Sequence, residues 1–162
     1  MAKVVIALGS NLDDPHHQLV QAKEFLAFLS LEEITVSPIY QSEPIGPSDS
    51  DFLNAVALIT TELNPTELLE QLKLQEQRQG RPTRYPKWTA RTLDLDIIAY
   101  NRLVIETDSL IIPHADYTQR LFVLLPLKDV FQNWEDPKTA QHIDKLIALA
   151  PEIRISKTNL DW

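Results

Sequence analysis

Two aspartates separated by a single residue are the most chemically informative feature of the sequence. Asp94 and Asp96 end the segment Arg-Thr-Leu-Asp-Leu-Asp at residues 91–96, and apolar residues alternate with them through Ile97. This period of two predicts a β-strand that carries both carboxylates on one face, roughly 6.6 Å apart along the strand. Because magnesium and manganese prefer oxygen ligands, the pair predicts a site for divalent cations. The alternative is an Asp-x-Asp motif on a solvated strand face.

A basic segment leads directly into this pair. No acidic residue lies between Arg78 and Asp94, and the segment also contains Trp88. Its five cations are Arg78, Arg81, Arg84, Lys87 and Arg91. Arginine side chains match phosphate oxygens and stabilise the charge that develops during phosphoryl transfer. The segment therefore predicts binding of a phosphate ester, with a solvated linker as the alternative.

Composition limits the classes of protein that the chain can represent. With 162 residues, of which 44% are hydrophobic, it is expected to form a single soluble domain over residues 1–162. No apolar run has the length of a membrane span, and the formal charge of −8 argues against general nucleic-acid binding. The absence of cysteine and of a cleavable leader pattern favours a cytoplasmic protein, and we expect a monomer.

Hydrophobic periodicity predicts the elements that position these residues. Six elements are expected in the order β-α-β-β-α-β, at residues 3–8, 16–29, 34–41, 52–63, 65–79 and 91–100. Asn64 and Glu67 are spaced for a capping box at the start of the second helix, and Gly80 ends that helix. This order is typical of an α+β, ferredoxin-like split βαβ fold, with an antiparallel sheet and both helices on one face.

Two further helices are predicted after this core. The first covers residues 116–130 and is interrupted at Pro126, and the second covers residues 142–149. The segment at residues 9–12, Gly-Ser-Asn-Leu, predicts a turn into the first helix rather than a Walker-type loop. Phosphate groups are therefore expected to be held by side chains and metal.

Five short motifs identify a known family when they are taken together. They are Gly-Ser-Asn-Leu at 9–12, Tyr-Gln-Ser-Glu-Pro at 40–44 with Gly-Pro at 46–47, Asp-Phe-Leu-Asn at 51–54, Gly-Arg at 80–81 with Trp88 and Arg-Thr-Leu-Asp-Leu-Asp at 91–96, and Pro-His at 113–114 with Arg120 and Phe122. In this order and spacing, over residues 3 to 130, the chain resembles 6-hydroxymethyl-7,8-dihydropterin pyrophosphokinases of folate biosynthesis. The resemblance implies transfer of the pyrophosphoryl group of ATP to the pterin hydroxymethyl group, giving AMP and the pterin diphosphate.

The same resemblance implies roles for individual residues. Two Mg2+ ions would be held by Asp94 and Asp96, which would form the catalytic set with Arg81 and Arg91. ATP, the co-substrate, would be bound by Glu76, Arg81, Arg84, Trp88, Arg91, His114 and Arg120. The pterin would be bound by Ser42, Glu43, Ile45, Phe52, Asn54, Asp94 and Phe122.

The sequence departs from the family pattern at three positions. Thr83 stands where the family usually has an arginine, so Arg84 is the candidate to replace the contact of that arginine. Ala90 stands where a proline is usual, and Ala115 where a residue with a ring is common. Two other classes of function remain open. A non-catalytic nucleotide- or RNA-binding module would leave Asp94 and Asp96 unexplained, and a metal-dependent phosphoesterase would leave Phe52 and Asn54 unexplained.

Overall fold

The structure is a computed structural model that describes residues 1–44, 50–80 and 92–162. In chain order its elements are β1 (Ala2–Ser10), α1 (Pro15–Leu29), β2 (Thr35–Val36), β3 (Tyr40–Ser42), β4 (Phe52–Thr61), α2 (Pro65–Arg78), β5 (Asp94–Tyr100), β6 (Ile105–Glu106), β7 (Ile111–Ile112), a 3-10 turn (Tyr117–Gln119), α3 (Leu121–Val130), α4 (Ile143–Leu149) and β8 (Ile155–Lys157).

A six-stranded sheet forms the centre of the molecule. Its strand order is β5-β1-β4-β3-β8, with β2 also paired to β4, and every pairing is antiparallel. Strands β6 and β7 form a separate two-stranded sheet. The predicted α+β class with an antiparallel sheet is therefore confirmed.

Helices cover both faces of this sheet. Strand β1 is apolar from Val4 to Leu8, with Val4, Ile6 and Leu8 packed on one side of the sheet and Val5 and Ala7 on the other. The first side is covered by α1 and α2, through residues such as Leu19 and Leu68. Helices α3 and α4 cover the second side, so each face of the sheet contributes to a buried core.

The second helix begins as its sequence predicts. The side chain of Asn64 accepts a hydrogen bond from the Glu67 N–H at 2.9 Å, and the Glu67 side chain accepts one from the Asn64 N–H at 3.0 Å. This reciprocal cap satisfies two donors at the start of α2. The helix then extends to Arg78. Its last turn includes Glu76, a buried side chain that is 7% exposed.

The predicted strand at 34–41 is wrong as a single element. The structure has two short strands, β2 and β3, which are separated at Ser37 and Pro38. Pro38 has no N–H for a ladder, and the Ser37 hydroxyl accepts a hydrogen bond from the Val56 N–H at 3.0 Å. The strand predicted at 91–100 begins at Asp94, after Thr92 and Leu93, and the one predicted at 52–63 ends at Thr61.

The predicted interruption at Pro126 is also wrong. Helix α3 continues through Pro126, and the break lies at Arg120, between the 3-10 turn and α3. Proline removes one helical hydrogen bond, but Leu124 and Leu127 on the same helix are fully buried against the sheet. Packing therefore outweighs the lost bond. The helix predicted at 142–149 is confirmed, with His142 as its N-cap.

Of the helices in the described part of the chain, α1 is the longest, with 15 residues. Among the described ranges, no helix combines the length and the apolar character that crossing a membrane requires.

Candidate functional site

A row of four residues crosses the sheet at one end of its long strands. Tyr40 is opposite Asn54, Asn54 is opposite Gly9, and Gly9 is opposite Asp94. Residues opposite each other in antiparallel strands project from the same face of the sheet. Asn54 and Asp94 therefore flank a position that has no side chain.

Gly9 forms the floor between these two polar residues. A Cβ atom placed on Gly9 would lie 3.4 Å from Asn54 Oδ1 and 3.9 Å from Phe52 Cδ1. The sequence predicted a turn at residues 9–12, but β1 extends to Ser10 and Gly9 belongs to the strand. Gly9 is thus a site residue that the sequence interpretation missed. The available signal was a glycine inside a strand pattern, which often marks the close approach of a ligand.

The two aspartates lie on the face of β5 that includes this row. Leu93, Leu95 and Ile97 pack into the core under α1 and α2, whereas Asp94 and Asp96 are half-buried on the opposite face. A register shift between β1 and β5 near Val5 ends this alternation, because Ile98 and Ala99 then both pack toward α3. The regular part of the strand is thus the part that carries the carboxylates.

The backbone beneath the aspartates is held from two sides. Glu76 of α2 accepts a hydrogen bond from the Leu95 N–H through Oε2 at 2.8 Å. The buried hydroxyl of Ser10 donates to the carbonyl of Thr92, just before β5. Glu76 was predicted as an ATP-site acid, and the structure gives it a contact with the main chain between Asp94 and Asp96. It therefore fixes the strand that presents both carboxylates.

A buried polar pair orients the amide of Asn54. Its Nδ2 donates a hydrogen bond to the Ser42 hydroxyl at 2.8 Å, and both side chains are buried. Phe52 is opposite Ser42 in the β3–β4 register, and the neighbouring Glu43 is half-buried. The amide, the hydroxyl and the aromatic ring therefore meet at one end of the β3–β4 pair. This combination suits the rim and one face of a flat polar heterocycle.

His114 approaches the same face from the segment after β7. Its backbone N–H donates to the carbonyl of Ile98 at 2.9 Å, and its ring Nδ1 accepts a hydrogen bond from the backbone N–H of Asp116 at 3.1 Å. Burial lowers the pKa of the His114 imidazole, and so does the nearby Arg120, while Asp116 and Asp94 oppose that shift. The ring is therefore neutral near pH 7 and carries its hydrogen on Nε2.

Arg120 and Phe122 stand next to each other at the start of α3. The guanidinium carbon of Arg120 lies 5.7 Å from the centre of the Phe122 ring, and Nη2 lies 3.7 Å from Asp116 Oδ2. A cation at this distance from an aromatic ring is attracted to it. The arginine therefore contributes positive charge near His114 and also contacts the Phe122 ring.

The described residues thus bring two predicted groups to one face of the sheet. One group is Ser42, Phe52 and Asn54 at the β3–β4 end, with Glu43 just after β3, and the other is Asp94, Asp96, His114, Arg120 and Phe122, with Glu76 behind β5. Five predicted site residues lie outside the described residues, namely Ile45, Arg81, Arg84, Trp88 and Arg91.

The oxygen donors of Asp94 and Asp96 are typical of an open magnesium site, in which the protein supplies only some of the ligands. Among the described residues, no group of three or more His, Cys, Asp or Glu side chains is arranged to hold a metal ion. Magnesium commonly binds through one or two carboxylates and takes its other ligands from substrate phosphates and water. Two carboxylates on one strand face meet that requirement when a phosphate-bearing ligand is present.

Comparison with known proteins places these features in a family context. A family model described as 7,8-dihydro-6-hydroxymethylpterin-pyrophosphokinase matches residues 5–132. The 2-amino-4-hydroxy-6-hydroxymethyldihydropteridine pyrophosphokinase of Haemophilus influenzae is 41% identical over 161 residues, which cover 98% of this chain and 99% of that protein. The protein of the same name from Bacillus subtilis is 44% identical over 142 residues, with 86% and 84% coverage.

Solved structures show a related fold. The wild-type HPPK-DHPS of Plasmodium falciparum matches with a TM-score of 0.70 at 15% identity, over 91% of this chain and 44% of that chain. The present chain therefore spans less than half the length of that solved protein. At this level of identity the likeness shows the fold alone.

Proposed function

The chain belongs to the 7,8-dihydro-6-hydroxymethylpterin-pyrophosphokinase family, and from this we infer that it transfers the pyrophosphoryl group of ATP to the hydroxymethyl group of 6-hydroxymethyl-7,8-dihydropterin in folate biosynthesis. In this reaction the hydroxymethyl oxygen bonds to the β-phosphorus of ATP. The bond between that phosphorus and the oxygen bridging to the α-phosphate breaks, and AMP leaves. The hydroxyl proton is released.

One observation carries the assignment of the pterin site, namely the row in which Gly9 separates Asn54 from Asp94. We propose that the pterin ring lies above Gly9, with the Asn54 amide at its polar rim. Phe52 and Phe122 would cover its faces, and Ser42, Glu43 and Ile45 would line the pocket. This placement directs the hydroxymethyl group toward Asp94, next to the predicted metal site.

We further propose that two magnesium ions are held by Asp94 and Asp96. Bound there with ATP, such ions would neutralise phosphate charge and bring the phosphates and the hydroxyl together. Glu76 keeps the two carboxylates in place through its bond to the Leu95 N–H. His114 presents a neutral Nε2–H donor for a phosphate oxygen, and Arg120 adds positive charge beside it.

Residues outside the described ranges complete the proposal by resemblance. Arg81 and Arg91 are proposed to stabilise the charge that develops on the phosphates, and Arg84 and Trp88 to contact ATP. The strand order β5-β1-β4-β3, with α1 and α2 on one face, supports the ferredoxin-like split βαβ description. A single domain that acts as a monomer is part of the same proposal.

The test is a measurement of AMP and ADP formed from ATP and magnesium, with and without 6-hydroxymethyl-7,8-dihydropterin. Pterin-dependent AMP supports the proposal. ADP or phosphate formed without pterin would favour the phosphoesterase reading, and ATP binding without turnover would favour the binding module.

Asp96→Ala tests the proposed metal site. We expect it to lose at least roughly a hundredfold in turnover while ATP binding is partly kept, because charge neutralisation by metal contributes several kcal/mol to such reactions. Isothermal titration with ATP separates loss of binding from loss of turnover. Normal turnover in this variant would contradict the assignment of Asp96.

A further inference from the structure

Arg154, in the C-terminal segment, bonds to two residues beside the candidate pterin site, Glu43 and Asp51. The family model ends at residue 132, so Arg154 lies beyond the part of the chain that it matches. Arg154 immediately precedes β8, which pairs with β3 in a register that places Ile155 opposite Ser42. The last strand of the chain therefore lies beside the strand that carries part of the site.

The side chain of Arg154 forms a two-pronged ion pair with Asp51. Nη1 donates to Asp51 Oδ2 at 2.7 Å, and Nη2 donates to Asp51 Oδ1 at 2.9 Å. The Gln41 amide also donates to Asp51 Oδ2, at 3.0 Å. Parallel bonds between a guanidinium and a carboxylate restrict both distance and angle, which a single-point ion pair does not. Asp51 is therefore held in one orientation.

The main chain of the same arginine is bonded to Glu43. The Arg154 N–H donates to Glu43 Oε1 at 2.7 Å, and the Glu43 N–H donates to the Arg154 carbonyl at 3.0 Å. Glu43 directly follows β3, and Asp51 directly precedes β4. One residue thus joins the open ends of two neighbouring strands, next to Ser42 and Phe52.

Electrostatics keep this pair charged at any pH used for enzyme assays. The hydrogen bonds from Arg154 and Gln41 lower the pKa of Asp51 to about 2, and Asp51 raises the pKa of Arg154. The Arg154 side chain is 64% exposed, so water screens the interaction. Exposed ion pairs add little to global stability, and we expect this pair to affect local geometry rather than the melting temperature.

We propose that Arg154 is a positioning residue for pterin binding, which holds the Ser42 and Phe52 end of the β3–β4 pair at the spacing that the ring requires. This inference rests on the proposed function, because it concerns the same pterin site. Arg154 itself does not have to touch the substrate. Its effect is transmitted through Asp51 to Phe52 and through Glu43 to Ser42.

The test compares steady-state kinetics of Arg154→Gln, Arg154→Lys and Asp51→Asn with those of the unmodified protein. We expect Arg154→Gln to raise the KM for the pterin roughly three- to tenfold, because small displacements of positioning groups weaken productive binding, with KM for ATP and kcat little changed. Arg154→Lys should recover part of the loss, since it keeps the charge but not the fork. Asp51→Asn should resemble Arg154→Gln.

Lys138→Gln is the matched control. It removes another exposed ion pair, between Lys138 and Glu106, which lies on segments that do not carry the site. We expect normal KM values for both substrates in this variant. Melting temperatures of all variants, measured in parallel, separate a local effect from general destabilisation.

Each outcome distinguishes the inference from the function on which it rests. Unmodified protein that forms no pterin-dependent AMP overturns the proposed function, and the positioning role with it. Active unmodified protein with an unchanged pterin KM in Arg154→Gln and Asp51→Asn overturns the positioning role alone. Equal increases in the KM for pterin and for ATP would also overturn it. If Arg154→Gln does not fold, Asp51→Asn tests the same contact from the other side.

Discussion

Two substitutions of Glu76 distinguish the effect of its hydrogen bond to the Leu95 N–H from the effect of its charge. Glu76 is 7% exposed, and its Oε2 accepts the Leu95 N–H at 2.8 Å. Glu76→Ala removes the acceptor of the Leu95 N–H, whereas Glu76→Gln keeps a carbonyl oxygen that can accept this bond, removes the charge and replaces the second oxygen with an NH2 group. The two variants therefore test which property positions Asp94 and Asp96.

The magnitude follows from the cost of a buried donor without an acceptor. Such a donor costs about 1–3 kcal/mol, so Glu76→Ala should lower the free energy of unfolding by that amount. For a domain of this size 1 kcal/mol corresponds to a change in Tm of about 2–4 °C, which gives a decrease of roughly 2–12 °C. Glu76→Gln should show less than half of this decrease.

The functional consequence concerns the requirement for magnesium. If Leu95 moves, Asp94 and Asp96 no longer share a fixed geometry, and the magnesium concentration that gives half-maximal AMP formation should rise roughly tenfold in Glu76→Ala. In Glu76→Gln it should stay near the value of the unmodified protein. Glu70→Ala, an exposed glutamate on the same helix, is the control and should change neither quantity.

Two results would contradict this role of Glu76. An unchanged Tm and an unchanged magnesium requirement in Glu76→Ala would show that the Leu95 contact does not hold the strand. Equal effects of Glu76→Ala and Glu76→Gln would show that one acceptor oxygen for the Leu95 N–H is not enough to hold the strand.

Three further predictions concern the opposite face of the same sheet. Gly9→Ala should fold normally, because its Cβ would meet Asn54 Oδ1 at an ordinary 3.4 Å. It should raise the pterin KM about tenfold, because the added methyl group fills the floor of the site. A normal pterin KM would contradict this placement. Phe122→Ala should raise the KM for the pterin more than that for ATP, by roughly two- to tenfold, because an aromatic contact contributes about 0.5–1.5 kcal/mol; a loss confined to ATP would reassign the ring. The lowered pKa of His114 means that the folded state favours the neutral ring, so its contribution to stability is present above about pH 6.5 and is lost as pH falls through the lower folded-state pKa. Urea unfolding in metal-free buffer between pH 7 and 5 should therefore show a smaller loss of stability in His114→Gln, and an identical pH dependence would contradict the shift.

Local patterns explain why much of the fold could be predicted. The capping box at Asn64 and Glu67 joins residues three positions apart, and the alternation of leucine and aspartate around Asp94 follows from the pleat of a single strand. The class of fold follows from the order of such elements. The resemblance to a family also predicted which distant residues share a site with Asp94 and Asp96, because the family motifs lie in several separate segments.

Predictions were wrong where packing decided the outcome. Helix α3 continues through Pro126 because its leucines are buried under the sheet, and the strand predicted at 34–41 divides because Ser37 bonds to Val56 of β4. Strand β8 was not predicted, because it has only three residues and forms by pairing with the edge of β3.

By itself, the sequence determined the kind of chemistry that the protein can perform, since two carboxylates on a strand face, a neighbouring basic segment and aromatic residues are properties of residue types and short spacings. Only the tertiary structure decided which residues meet. The row from Asn54 through Gly9 to Asp94 depends on the registers of three strands, and the contact of Arg154 with Asp51 joins residues that are 103 positions apart. Such contacts form because strand pairing and core packing bring distant segments together, and no local preference of the chain specifies them.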